Sequence, residues 1–231
     1  MTHSVIDSLL QHRSIRRWKP DPIPEDVLTR ILSAGTRAAT CNGLQHYSLI
    51  VVDDPAKKEA LIDGPLNRAP ALLVAAVDYY RLKRWLAAHG EEFVEDHIQN
   101  LFMGFWDAIL AVQNVVVAAE SLGLGTVYIS RAPTLDTMTI LDTPEYVMPV
   151  ALVAMGYPDE APEQRPRLPL EAVVHRNSYR RPEDDDEARG YHTNKEASSV
   201  VGMHRRWEAE QRCSARILEN LRRTGFKLDQ P

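Results

Sequence analysis

A histidine, two arginines and a hydroxyl stand together in His12-Arg13-Ser14-Ile15-Arg16. Guanidinium groups are planar, permanently charged donor forks, and their charge-assisted hydrogen bonds match the oxygens of a phosphate. A run of this kind at the end of a short helix can wrap a phosphate, or it can form a solvated surface face. A second pair lies in Arg165-Pro166-Arg167-Leu168-Pro169, where the prolines stiffen the chain and set two guanidinium groups on one extended segment. That segment suits either an anion ligand or a charged linker. The third group is Thr40-Cys41-Asn42-Gly43-Leu44-Gln45, small and polar, able to line a cofactor or simply to join two elements.

The charge distribution gives the basic groups a context. The chain of 231 residues carries 27 basic and 32 acidic side chains, a formal charge of −5. Non-specific nucleic-acid binding depends on neutralising phosphates, so a net acidic chain is a poor general binder. Neither basic group brings a recognition helix or an aromatic ladder, and no nucleic-acid partner is expected. The average conceals two islands. Residues 12–19 hold four basic residues and no acid, and residues 164–181 hold five arginines against the single Glu171. An acidic protein with two such islands suits one particular bound anion.

Other chemistries lack their signatures. There is no GxGxxG, P-loop, GxSxG or HExxH, and Gly123-Leu124-Gly125 follows a helix, the wrong context for a dinucleotide fingerprint. Eight scattered histidines show no ligand spacing, so no metal is expected. Cys41 and Cys213 cannot form a disulfide framework and fit a reducing compartment. The start MTHSVIDSLLQHR lacks the features of a secretory leader, which favours a cytoplasmic protein. The most apolar stretch, 98–124, contains Asn100, Asp107, Gln113, Asn114 and Glu120, each expensive in lipid. It reads as a buried helix rather than a membrane span.

These groups need elements to position them. Ser4 and Asp7, with Val5, Ile6, Leu9 and Leu10, predict a short helix that delivers the chain to His12. Pro24 opens a helix whose apolar residues Val27, Leu28, Ile31 and Leu32 repeat at helical spacing, to about Ala39. Apolar runs at 48–52, 71–77, 126–129 and 150–155 read as strands. Short helices are expected at 56–62, 81–90 and 133–141, and one long helix at 95–122, central in the fold or at a subunit interface. The acid run 183–187 reads as a solvated loop, and 203–223 as a final helix stopped by Gly225. Too few residues join the first two strands for a comfortable crossover. The fold class is therefore α+β, a mixed or antiparallel sheet with helices packed on it. The chain is read as a single domain, 1–231, in which residues from about 164 form an extended arm of a type that wraps a second subunit.

In order and spacing, HRSIRRW at 12–18, TCNGLQ at 40–45, QNVVVAAESLGLGTVYI at 113–129 and RPRLPLEAVVHRNSY at 165–179 resemble the flavin-dependent nitroreductase family. The resemblance is to its group of major oxygen-insensitive NADPH nitroreductases and NADPH–flavin reductases. It implies an α+β sandwich that forms a homodimer, with FMN at the subunit interface. On that resemblance His12, Arg13, Ser14 and Arg16 hold the FMN phosphate and ribityl chain, and Arg165 and Arg167 complete the phosphate site. Thr40, Cys41, Asn42 and Gln45 fall where the family has a serine-rich flavin-contacting run. Ile129, Ser130 and Arg131 fall where its backbone approaches the flavin, with Ser130 and Arg131 standing in place of paired glycines.

The implied chemistry is ping-pong hydride transfer. A nicotinamide, from NADPH or NADH, stacks on the flavin and passes hydride to it, and the same face then reduces a nitroaromatic, a quinone or a flavin by two electrons. No protein acid or base is required, and Arg16 and Arg131 are candidates for the cation beside the flavin's N1 and O2. The alternatives are a member specialised for reductive dehalogenation and a flavin-binding carrier or redox sensor without turnover.

Overall fold

The two most apolar runs become the two central strands. β2 (Ala71–Asp78) is buried at all eight positions, and β4 (Val147–Gly156) at nine of ten. β1 (Tyr47–Val52) and β3 (Gly125–Ile129) form the edges of a four-stranded sheet in the order β1-β2-β4-β3, with every pairing antiparallel. A computed structural model describes residues 5–94, 97–129, 135–190, 202, 218–219 and 221–226. The α+β class is as expected, and the sheet is antiparallel throughout.

Helices cover both faces. On one face α5 (His97–Ser121) lays Ala108, Ala111, Val112, Val115 and Ala119 against Leu73, Ala75, Val153 and Met155. Small residues alternating with valines let the helix sit low on the sheet, and α2 (Glu25–Gly35) packs beside it through Ile31. On the other face Leu72, Val74, Leu152 and Ala154 meet Leu61 of α3 (Pro55–Leu61) and Ile140 and Leu141 of α6 (Leu135–Leu141). Each such aliphatic side chain contributes about 1.5–3 kcal/mol on full burial. α1 (Val5–Leu10) precedes the first basic island, and α4 (Tyr80–Ala88) follows β2. Near that end of the sheet Leu221 and Phe226 join Val77, Tyr79 and Tyr146, and Gly225 takes φ +87° after the last helical turn.

Two expectations are corrected. α2 stops at Gly35 rather than near Ala39, where Thr36 closes it by donating from its N–H to Leu32 O at 3.1 Å and from its hydroxyl to Ser33 O at 2.8 Å. The acid run is largely exposed but only partly a loop: Glu183 and Asp184 precede a helix that begins at Asp185. Asp184 caps α7 (Asp185–Gly190), its Oδ1 accepting the Asp186 and Glu187 N–H groups at 2.9 Å each. Carboxylates at a helix N-terminus satisfy orphan donors and oppose the helix dipole, which is why acids collect there.

The chain divides into two compact units, Met1–Glu163 with Arg216–Pro231, and Gln164–Ala215. In the second unit an extended stretch leads to a short 3-10 turn at Leu170–Ala172, and Arg180 pairs with Glu187 at 2.6 Å beside α7. Most of the expected final helix, 203–223, lies outside the described residues.

Candidate functional site

The first basic island is docked on β3. After α1 the chain runs alongside that strand, where Ser14 bridges Thr126 and the Ile15 N–H donates to Thr126 O at 2.9 Å. Ile15 points inward and is buried, which turns its neighbours Ser14 and Arg16 outward. Gly125 makes the close approach possible, because a Cβ there would lie 2.6 Å from Ile15 Cγ1 and 2.8 Å from Ile15 Cβ. Trp18 locks the far end by donating from Nε1 to Gly125 O at 2.9 Å.

Three further contacts shape this segment. His12 Nδ1 lies 2.8 Å from Glu120 Oε1, and the Thr126 hydroxyl donates to the same oxygen at 2.7 Å. Glu160 accepts the Arg16 and Arg17 N–H groups on Oε1 at 2.5 and 3.2 Å and faces Arg17 Nε across 3.3 Å. Donation from the Arg16 backbone, then from Arg17, together with both guanidinium charges, holds the Glu160 carboxyl below the usual glutamate range against a smaller desolvation effect. The guanidinium groups face outward. Arg13 donates to Pro162 O at 3.2 Å and Arg16 to Ser14 O at 3.3 Å, each leaving most of its five N–H donors over.

The Thr40–Gln45 segment forms a tight turn after α2. Its residues Asn42 and Gln45 adopt positive φ, 52° and 53°, a conformation rare for side chains other than glycine. The turn is held from below by Asp107 of α5, which is 2% exposed. Asp107 accepts the Cys41 N–H at 2.9 Å, the His46 N–H at 3.1 Å and His46 Nδ1 at 3.0 Å. The His46 ring stacks on Tyr79 with centroids 4.6 Å apart. Burial, with the negative charge of Asp107 and the nearby Cys41, pushes the Tyr79 phenol well above its ordinary value. Arg81 braces the other side by donating to Gln45 O at 2.8 Å and Tyr47 O at 2.7 Å. A cleft of about 300 Å³ opens there, lined by Leu44, Gln45, Arg81, Leu82 and Trp85.

The remaining predicted residues are distributed as follows. Ile129 ends β3, paired with Leu152 and partly buried. Ser130 and Arg131 lie outside the described residues. Arg165 and Arg167 are exposed on the extended stretch of the second unit, with Arg167 donating to Arg165 O at 3.2 Å. Within the first unit the two predicted groups are anchored thirteen residues apart on α5, at Asp107 and Glu120. That is about 20 Å along the axis at 1.5 Å per residue.

The anchors Asp107, Glu120 and Glu160 were missed as parts of the site by residue type and spacing. An acid embedded in an apolar helix was the available signal, since a buried carboxylate persists only with donors around it.

An antiparallel sheet sandwiched by helices, with cationic and polar segments docked at its margins, defines an α+β sandwich, and known proteins place it in a family. Residues 9–157 match the model of the nitroreductase family, and the chain belongs to that family of oxidoreductases. A curated relative, the NADPH-dependent oxidoreductase of Staphylococcus aureus strain USA300, is 36% identical over 190 residues, covering 78% of this chain and 75% of the relative. Among solved structures, nitroreductase A from Vibrio parahaemolyticus superposes with a TM-score of 0.83 at 30% identity, covering 97% of this chain and 98% of its own. The NADPH:FMN oxidoreductase from Vibrio harveyi, solved with NAD+, gives a TM-score of 0.79 at 28% identity, covering 96% and 97%.

Proposed function

We propose that the protein is an NADPH-dependent FMN oxidoreductase that reduces nitroaromatics, quinones or flavins by two electrons. The observation that carries the reading is the docked basic segment. Backbone pairing to β3 and the Glu160 carboxylate use up its inward groups and leave the Arg13 and Arg16 guanidinium donors facing out, the donor set an FMN phosphate requires. Bound FMN would supply the two-electron hydride chemistry, with NADPH as donor in keeping with the named relatives.

The protein's own residues bind and orient. Arg13, Ser14 and Arg16 would hold the phosphate and ribityl end, and Arg165 and Arg167 are proposed as phosphate ligands on the family resemblance. The 40–45 turn would present backbone and amide groups to the ring system. His12 is oriented by Glu120, which faces Nδ1 and leaves Nε2 for the ligand.

The working form would be a homodimer in the cytoplasm, where Cys41 stays a thiol. α5 exposes Ile98, Phe102, Phe105, Trp106 and Leu110 along one stripe, with Trp106 62% exposed, and α1 adds exposed Val5, Ile6, Leu9 and Leu10. An apolar surface of this continuity is characteristic of a protein interface.

The test is direct. The purified protein should be yellow, with Arg16→Ala and Arg167→Ala each lowering FMN occupancy, and anaerobic NADPH should bleach the flavin. A colourless protein that takes up no added FMN would refute the proposal.

A further inference from the structure

Two carboxylates interrupt the apolar run of α5, and both are engaged within the fold. Glu120 takes His12 and Thr126; Asp107 takes the turn between α2 and β1. We propose that Asp107 is the positioning residue for residues 41–46, holding the flavin-facing atoms of that turn in their binding arrangement. The proposal rests on the FMN reading above.

The turn has little to hold it by itself. Its internal backbone bonds are Gly43 N–H to Thr40 O at 3.5 Å, Leu44 N–H to Cys41 O at 3.1 Å and Tyr47 N–H to Gln45 O at 2.7 Å. Against them stand two strained residues, Asn42 and Gln45, both at positive φ. Such conformations persist only where the surroundings over-determine them.

Arg81 braces the Gln45 end from outside, and Asp107 supplies the constraint that joins both ends. Its Oδ1 grips the first residue of the turn through the Cys41 N–H, and its Oδ2 grips the last through the N–H and Nδ1–H of His46. One rigid carboxylate on a packed helix therefore fixes the span between the two ends. The arrangement also satisfies the buried anion, which would otherwise be costly. Gly104, one turn earlier on α5, lets the helix come this close, since a Cβ there would sit 2.5 Å from Val77 Cγ1 and 3.2 Å from His46 O.

Asp107 acts through the turn rather than on a ligand. It is 2% exposed, beneath His46 and Tyr79. With Cys41 and His46 tied inward, the amide and side chain of the exposed Asn42 remain on the outer side of the turn, while the Gln45 side-chain amide donates to the Tyr47 hydroxyl at 3.2 Å. A carboxylate that merely filled the core would leave the turn indifferent to its removal.

The experiment uses the full chain in a Cys213→Ser background, so that Cys41 is the only thiol. Asp107→Asn keeps the shape but turns an NH2 group toward N–H donors. The folded apo variant should show Cys41 alkylation by iodoacetamide about fivefold faster, as the turn opens locally. Its FMN dissociation constant, read by quenching of added FMN fluorescence, should rise about tenfold, the loss expected for one charge-assisted hydrogen bond. Ile31→Val, a core change on α2 that leaves the turn's bonds intact, should leave both readouts within about twofold.

Amide exchange on the unmutated apo protein gives an arm that needs no variant. Cys41 and His46 should be protected while Asn42 exchanges fast. Exchange at Cys41 as fast as at Asn42 overturns the proposal. So does a folded Asp107→Asn protein whose thiol reactivity or FMN affinity is unchanged. If the unmutated chain takes up no FMN, the function proposed above fails, while exchange and alkylation still decide whether Asp107 holds the turn.

Discussion

Substituting alanine at Gly125 tests whether the basic segment is positioned by its contact with β3. A Cβ at this site would meet Ile15 Cγ1 at 2.6 Å, Cβ at 2.8 Å and Cγ2 at 2.9 Å, all closer than carbon atoms tolerate. Ile15 cannot swing clear. It is β-branched and stiff at χ1, it is 7% exposed, and one of the clashing atoms is its own Cβ. The backbone of residues 14–16 must therefore retreat, stretching the Ile15 N–H bond to Thr126 O and the Trp18 bond to Gly125 O, both 2.9 Å.

Overpacking of this kind costs about 1–3 kcal/mol. In a chain of 231 residues each kcal/mol lowers Tm by about 2–4 °C, so Gly125→Ala should fall by roughly 2–12 °C. The functional consequence should exceed the thermal one, because the displaced segment carries Arg13, Ser14 and Arg16. FMN affinity should weaken by about tenfold or more, equivalent to about 1.4 kcal/mol. Calorimetry and fluorescence quenching of added FMN read the two quantities. The double variant Gly125→Ala/Ile15→Ala separates the mechanism from general damage. Removing Cγ1 and Cγ2 relieves two of the three contacts, so the double change should cost about 1 kcal/mol less than the sum of the singles. A Gly125→Ala protein that melts with the parent and binds FMN equally, or a strictly additive double variant, refutes the reasoning.

Trp106→Asp puts a charge in the middle of the exposed stripe on α5, so sedimentation should show a dimer-to-monomer shift and FMN occupancy should fall with it. Glu160→Gln removes the charge that the Arg16 and Arg17 amides stabilise. The folded-state pKa of Glu160 lies below its unfolded value of about 4.3, so its contribution is present above that pH and is lost as pH falls through the lowered folded value. The urea midpoint of the unmutated protein should drop on acidification below about pH 4, and the Gln variant should show a shallower drop. Identical acid limbs would show that Glu160 contributes nothing through its charge.

The elements were legible wherever one-dimensional pattern determines them. ALLVAAV and VALVAM are too short and too apolar for anything but central strands, and both occupy the middle of the sheet. The long helix was legible from its length, and its valines and alanines face the sheet. What pattern could not show was the partner of each polar interruption. Asp107 and Glu120 read only as residues unsuited to lipid, because Cys41, His46 and His12, which they meet, lie from 61 to 108 positions away in the chain, and of their partners only Thr126 is close in sequence. The acid run at 183–187 misled for the opposite reason. Charge density suggested a solvated loop, and most of the residues are exposed, but Asp184 uses its carboxylate locally to start a helix. The candidate site followed the same division: the cations proposed to hold a phosphate were visible by type, and the carboxylates that hold the segments around them were not.

The separation of the two anchored groups bears on assembly. Along α5 the Asp107 turn and the Glu120 segment are about 20 Å apart, with the exposed Leu110 between them and Trp106 beside the first. A flavin that needs both groups is poorly served by one chain. A two-fold axis crossing the stripe would run the two α5 helices antiparallel and exchange their ends. The 12–16 segment of one copy would then lie toward the 40–45 turn of the other, and the exposed aromatic residues would be covered by the same operation. The apolar stripe and the proposed division of the site would thus have one solution in common. On that arrangement Trp106→Asp, a change outside the proposed FMN ligands, should cost the protein its flavin.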